Sequence, residues 1–298
     1  MNIKFLKYHK ANYAFFIILT LATIVCIVMF GLNLGIDFLG GTLWEVSFSA
    51  QGGRPSNVVI QEKLNAFNLG ENIIQPTGEN NVILRFKNID EETHQKMLAE
   101  LNKISKVEER RFESVGPTIG KELREKTITL IIVSLTALLI YIAISFRKLK
   151  WPISGWQYGL VSIITLALDI LFTLLILILL GRFYNVQFNV AIVAALLTIM
   201  GYTINDKVIV FDRVRENVLR TKSDNFAETV DQSLNQILGR SLSTGTCTLL
   251  VLFALFFFGG ETLKYFSLTL IIGIIVGTYT SLFVASSLLV SWGLRKRG

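Results

Sequence analysis

The chain alternates between long apolar blocks and one extended polar stretch. Residues 13–34, 127–146, 158–180, 190–211, 241–258 and 265–292 are apolar runs. A hydrocarbon layer about 30 Å thick takes roughly 20 helical residues to cross, so each run predicts a membrane-spanning helix. Residues 36–120, between the first and second runs, carry a different pattern. Thr42 to Phe48 alternates as a strand does, and Pro55 to Phe67 reads as a helix with proline near its start. Asn72 to Gln75 and Asn81 to Lys87 read as strands on either side of Pro76-Thr-Gly78. Ile89 to Leu101 reads as a helix with Asp90, Glu91 and Glu92 in its first turn, where the helix dipole favours acids. Ile104 to Phe112 is a last strand. The order β-α-β-β-α-β is the ferredoxin-like one. The expected fold is thus a polytopic α-helical membrane protein of six spans, with an α+β ferredoxin-like domain between the first and second. The expected boundaries are 1–35, 36–120 and 121–298, with a cytoplasmic loop at about 212–240.

Charge fixes the expected orientation. Lys4, Lys7 and Lys10 precede the first run, and Arg147, Lys148 and Lys150 follow the second. Arg213, Arg215, Arg220 and Lys222 separate the fourth from the fifth, and Arg295, Lys296 and Arg297 follow the sixth. In a six-span weave all four clusters fall on one side, which is the cytoplasm. Both termini are therefore expected inside and residues 36–120 outside. The net charge of +7 belongs to these flanks, and no aromatic-basic interleaving of the nucleic-acid kind accompanies it. The chain is 52% hydrophobic, and that fraction is concentrated in blocks. The first run is too long for a signal-peptide core and is expected to remain as an anchor. Cys26 and Cys247 both lie in apolar runs, which leaves no disulfide framework or metal motif. No cofactor is expected. No glycine-rich phosphate loop occurs. His9 and His94 sit among polar residues, read as solvated surface positions, so a catalytic role is not expected.

The polar residues inside the apolar runs are the candidates for function. The fourth run carries Tyr202, Thr203, Asn205, Asp206 and Lys207. Charge in a bilayer is costly and rarely stands there without a partner or a task. Asp169 sits mid-way along the third run, roughly 16 Å from its inner end at 1.5 Å per residue. A hydrogen bond to a neighbouring helix and a direct role in transport are both open for it. The fifth run opens at Arg240 and continues with hydroxyls and Gly245, which permit close helix contact. Asp206 lies six residues, roughly 9 Å, inside Asp212, a level that an arginine at position 240 can reach. Gly273, Gly277, Ser281 and Ala285 recur every fourth residue and predict a packing seam, within the chain or against another subunit. Phe226, Val230, Leu234 and Ile237 share one face of an amphipathic helix, expected along the inner membrane surface or under the bundle. Gly35 to Gly41 predicts a tight corner at the membrane exit, with Asp37 bracing it, and Gly116-Pro117 marks the return connection. Asp37, Gly40, Gly41, Gly116 and Pro117 are candidates for the hinge between domain and bundle.

Several segments in order carry a family resemblance. They are Gly35-Ile-Asp-Phe-Leu-Gly-Gly41, Val115-Gly-Pro-Thr-Ile-Gly-Lys-Glu-Leu123, Gly201-Tyr-Thr-Ile-Asn-Asp206, Val210-Phe-Asp-Arg-Val-Arg-Glu-Asn217, Ser233-Leu-Asn-Gln-Ile-Leu-Gly-Arg240 and Gly277-Thr-Tyr-Thr-Ser281. Together they resemble SecF, the family of accessory subunits of the bacterial protein-export translocon, over nearly the whole chain. The resemblance implies a SecD-like six-span partner, a SecYEG-type channel, a translocating preprotein and membrane lipids as contacts. It implies residence in the inner (plasma) membrane and kinship with proton-driven exporters of the resistance-nodulation-division (RND) type. It assigns proton coupling to Asp206 and Arg240, with Asp169 as a further intramembrane acid. Tyr202, Asn205, Lys207, Asp212 and Arg213 are supporting positions. The family usually has Thr or Ser at position 207 and often a His where this chain has Leu168. Lys207 either faces away and snorkels or alters the coupling ion.

The function expected is coupling of a proton or sodium gradient to late steps of protein translocation, without enzymatic activity. A change in the Asp206–Arg240 distance would change the affinity of Asp206 for a proton. Two rivals remain. One is a subunit of a small-molecule or lipid exporter. The other is a structural scaffold whose charges only hold helices together.

Overall fold

The computed structural model describes residues 3–48, 54–67, 69–70, 72–77, 79–146, 154–221 and 225–295. Arg147, Lys148, Lys150, Lys222, Lys296 and Arg297, which carry part of the orientation argument, lie outside the described residues, as does Pro152. The chain divides into two units, Leu34–Ile128 and Met1–Asn33 with Thr129–Gly298.

The smaller unit begins with a short helix α2 (Ile36–Leu39) and holds β1 (Gly41–Phe48), α3 (Asn57–Asn65), β2 (Ile73–Thr77), β3 (Asn81–Phe86), α4 (Glu91–Asn102) and β4 (Val107–Val115). Its four strands form one antiparallel sheet in the order β2-β3-β1-β4. Alternation along β1 and β3 turns Trp44, Val46, Phe48, Val82, Leu84 and Phe86 to one face. Ile60 and Leu64 of α3 and Met97 and Leu101 of α4 close that face into a core. The ends of both helices follow from local chemistry. The Ser56 hydroxyl accepts from the Val59 N–H, and the Asp90 carboxylate accepts from the Thr93 N–H. Donation by Thr93 also holds the Asp90 carboxyl below the usual carboxylate range.

His94 corrects the sequence reading. It is buried, because positions 94, 97 and 101 form the inward row of α4. Its ring stacks on Phe112 at 3.8 Å, and its Nε2 lies 2.6 Å from Glu109, which also accepts from the Trp44 indole at 2.7 Å.

The Gly40-Gly41 corner follows α2. Gly40 has φ +77° and Gly41 φ +128°, values that L side chains rarely adopt. A β-carbon on Gly40 would stand 2.9 Å from the Pro117 Cα, and one on Gly120 would stand 2.9 Å from the Gly40 nitrogen. These glycines let two backbone segments touch. The helix of the return connection starts at Pro117 itself, directly after Gly116.

The larger unit is helical. Its elements are a 3₁₀ turn (Phe5–Tyr8), α1 (His9–Phe30), the later turns of α5 (Pro117–Ser145), α6 (Gly155–Tyr184), α7 (Val190–Thr221), α8 (Phe226–Phe258), α9 (Gly260–Tyr279), a π-helical turn (Thr280–Ala285) and α10 (Ser286–Arg295). Among the described residues six helices are long and apolar enough to cross a membrane, as the six runs predict. The first helix ends at Phe30, short of the expected 34, because Gly31 turns the chain at φ +66°.

The amphipathic segment 226–237 is the first third of α8, not a separate helix. Phe226, Val230, Leu234 and Ile237 are buried with Val214 and Val218 of α7 and with Phe5. This places the segment under the bundle, the second of the two expected arrangements. Asn235 clasps the N-terminal turn, accepting from the Ile3 N–H and donating to the Ile3 carbonyl, both at 2.9 Å.

Gly40→Ala is expected to destabilise the smaller unit by about 1–3 kcal/mol, through left-handed strain and the clash with Pro117. Amide hydrogen exchange on the detergent-purified chain checks this. Faster exchange should be confined to β1, β4 and the start of α5, while α6 to α9 stay unchanged.

Candidate functional site

Among the described residues, Asp169, Asp206 and Lys207 are the buried acids and bases of the helical unit. All three lie where α6, α7 and α9 meet. α9 packs directly on α7 through the predicted small-residue row. A β-carbon on Gly273 would fall 2.2 Å from Ile199, and one on Gly277 would fall 2.0 Å from the Thr203 methyl. The row therefore serves contact inside the chain, the first of the two options open in the sequence. Ile199, Thr203 and Lys207 follow one another every fourth residue on α7, so the seam leads straight to the lysine.

Lys207 is fully buried, and its Nζ donates to Asp169 Oδ2 at 2.7 Å. It neither faces away nor snorkels. Thr280 at the start of the π turn donates to Asp169 Oδ1 at 2.5 Å. Both carboxylate oxygens of α6 are thus engaged, one by α7 and one by the π turn. A buried ion pair offsets its desolvation only when its remaining lone pairs are also satisfied, and the threonine supplies that. π turns inside α-helices are rare and frequently mark functional sites.

Asp206 faces a different neighbour. It is 4% exposed and accepts from the Thr278 hydroxyl at 3.3 Å. Gly245 of α8 opens the space beside Thr278, where a β-carbon would stand 3.7 Å from that hydroxyl. One turn away the Tyr202 hydroxyl meets Thr248 of α8 at 3.4 Å.

The expected Asp206–Arg240 ion pair is not formed in this structure. Arg240 is exposed, and among the described residues no ion pair joins it to Asp206. Direction around α8 is the physical reason. Ile237, Ser241 and Gly245 form the inward row of α8, and position 240 stands off those residues by roughly 60–140°. The supporting candidates also separate. Asn205 is exposed. Asp212 is exposed and pairs with Arg215 at 3.8 Å. Arg213 donates to Gln236 at 2.6 Å, and Asn217 donates to the same Gln236 and to Ser233, each at 2.8 Å. These latter contacts tie the end of α7 to the start of α8.

Thr278 and Thr280 were not singled out in the sequence, although both stand in the Gly277–Ser281 motif. Their signal was position: hydroxyls directly after the seam glycine Gly277, inside an apolar run.

Residues 93–295 match the family described as "Protein export membrane protein SecD/SecF, C-terminal", and residues 27–51 match the "SecD/SecF GG Motif". A protein translocase subunit SecF from Thermobaculum terrenum is 39% identical over 94% of this chain and 92% of its own length. The chain belongs to the SecF family. The SecF of Vibrio alginolyticus is 35% identical, over 99% of this chain and 91% of that one. The crystal structure of SecDF from Thermus thermophilus, described as a translocon-associated membrane protein, superposes with a TM-score of 0.86 at 31% identity. It covers 99% of this chain, which spans 39% of that longer one. A second SecDF structure, in a super-membrane-facing form, gives a TM-score of 0.72. With its six apolar helices, this SecF-family chain is a multi-pass membrane protein.

Gly277→Ala is expected to push α9 off α7 and lower the apparent Tm of the detergent-solubilised chain by several degrees. Thr203→Ser removes the methyl in the way and should recover part of the loss, an interaction that a double-mutant cycle on Tm measures.

Proposed function

We propose that this chain is an accessory subunit of a Sec-type protein translocase, coupling a transmembrane proton or sodium gradient to late steps of protein export. It acts with a SecD-like six-span subunit, beside a SecYEG-type channel and an emerging preprotein, in the inner (plasma) membrane. Both termini face the cytoplasm. The smaller unit is a ferredoxin-like extracytoplasmic domain, a reading supported by its β-α-β-β-α-β order and its strand order β2-β3-β1-β4. Residues 1–35 anchor it, residues 36–120 form it, and residues 121–298 make the remaining five-helix bundle.

The observation that carries the proposal is the Asp206 carboxylate, buried in an apolar bundle where three helices meet and held by a hydroxyl. Asp206 is the carrier. Its carboxylate has one hydroxyl partner, and the guanidinium expected to answer it stands apart. The proposed cycle brings Arg240 toward Asp206 in another state and so changes the affinity of Asp206 for its cation. The membrane potential contributes about 2.3 kcal/mol per charge per 100 mV, enough for a few ions to drive a rigid-body swing of a domain. The smaller unit would hold or pull the emerging chain during that swing.

One observation favours the scaffold reading for part of the site. Asp169 and Lys207 are both fully buried and closed on each other, as an architectural pair would be. The assignment to coupling therefore rests on Asp206, and its replacement separates the two. Asp206→Asn should leave expression, folding and partner binding intact while abolishing gradient-dependent export in reconstituted vesicles. Arg240→Met should lower proton flux in the same vesicles at least tenfold. Normal ion-driven export by Asp206→Asn leaves only the scaffold.

A further inference from the structure

Charge balance inside the helical unit has a consequence for ion choice. Among the described residues two carboxylates and one ammonium are buried there, a sum of −1 if all three are charged. An isolated charge in an apolar interior is strongly disfavoured, so the cluster must be completed by a cation or a proton. The two carboxylates are not equivalent. Asp169 has its Oδ2 on the Lys207 ammonium and its Oδ1 on the Thr280 hydroxyl, with no exposed surface. An ammonium at 2.7 Å, with a hydroxyl on the second oxygen, occupies the place a monovalent metal cation would take on a carboxylate. Among the described residues Asp206 has one hydrogen-bond partner, the Thr278 hydroxyl at 3.3 Å, and it keeps a little exposed surface.

We infer that Lys207 is a built-in counter-cation that keeps Asp169 closed to exchangeable ions. It thereby limits the site to one monovalent cation per cycle, taken at Asp206, and is the residue that excludes sodium from the Asp169 position. The groups facing the pair come from every element around it. They are Thr203 of α7, and Gly277 and Thr280 at the end of α9 and the start of the π turn, while Asp206, next to Lys207 along α7, is the other charged group near it. Among the described residues none of the others is a second base that could take the lysine's place. The lysine also reaches Asp169 through the close packing of Gly277 on Thr203, so it has little freedom to leave. The inference deepens the coupling role proposed for this site and rests on it for the word cycle, but not for the binding chemistry.

The test uses the full chain, purified in detergent, with ²²Na⁺ as the probe and Asp206→Asn as background so that only the Asp169 position is read. Asp206→Asn alone should bind no sodium at millimolar concentration. Adding Lys207→Thr, which removes the ammonium and leaves room, should create about one sodium site per chain. Adding Asp169→Asn to that pair should abolish the site again. Sodium bound by Asp206→Asn alone, or none gained by a monodisperse Asp206→Asn/Lys207→Thr chain, overturns the inference. If Lys207→Thr does not stay folded, Lys207→Gln replaces it in the Asp206→Asn background, since its amide can still donate to Asp169 while the positive charge is gone. That chain should likewise gain about one sodium site, and none gained by a monodisperse sample overturns the inference. Because the binding assay needs no gradient, wild-type vesicles that move no ions would sink the coupling role while leaving the sodium result to decide this one.

Discussion

The contact between Lys207 and Asp169 governs how the helical unit can be built. An ammonium and a carboxylate with no exposed surface are each far too costly to leave alone, so α6 and α7 are fixed in rotation and height relative to each other. That constraint passes to α9. Thr280 must stand over the second carboxylate oxygen, and Gly277 must let the helices close to the distance at which it can. The π turn beginning at Thr280 lies where these demands meet. Hydrophobic burial gathers the helices, and polar geometry selects which of many packings they adopt.

Asp206 is adjacent in sequence to the lysine and lies in a different environment. Successive residues on a helix differ by about 100° in direction. Lys207 therefore looks to α6 while Asp206 looks to Thr278 of α9, with Gly245 of α8 leaving space beside that hydroxyl. Two neighbouring charges thus serve two separate interfaces. A closed pair thus stands next to a thinly partnered acid, two charges in sequence held in two different ways.

Much of the architecture was readable from the sequence, because it rests on one-dimensional signals. Blocks of about twenty apolar residues gave six spans, and period-two alternation gave the strands of the sheet, with boundaries shifted by a few residues. Buried acids were legible for the same reason: Asp169 and Asp206 interrupt apolar runs. What depends on azimuth was not legible. Sequence position put Arg240 within side-chain reach of the level of Asp206, yet its direction around α8 takes it outward. The partner of Lys207 required knowing which faces of α6 and α7 meet. His94 was misread because its neighbours in sequence are polar, whereas its neighbours in space are Trp44, Phe112 and Glu109. The π turn has no composition signal at all.

The inward use of the small-residue row leaves a particular exterior. With Gly273 and Gly277 committed to α7, the outward relief of the bundle is built from bulky side chains such as Phe15, Ile18, Ile132, Val133, Val251 and Phe257. Whatever lies against that exterior, acyl chain or protein, meets a knobbly, yielding surface in place of a smooth backbone groove. Contacts there rest on interdigitated side chains, which re-pack readily as helices slide, and the rigid, close-fitted joint is reserved for the charges within.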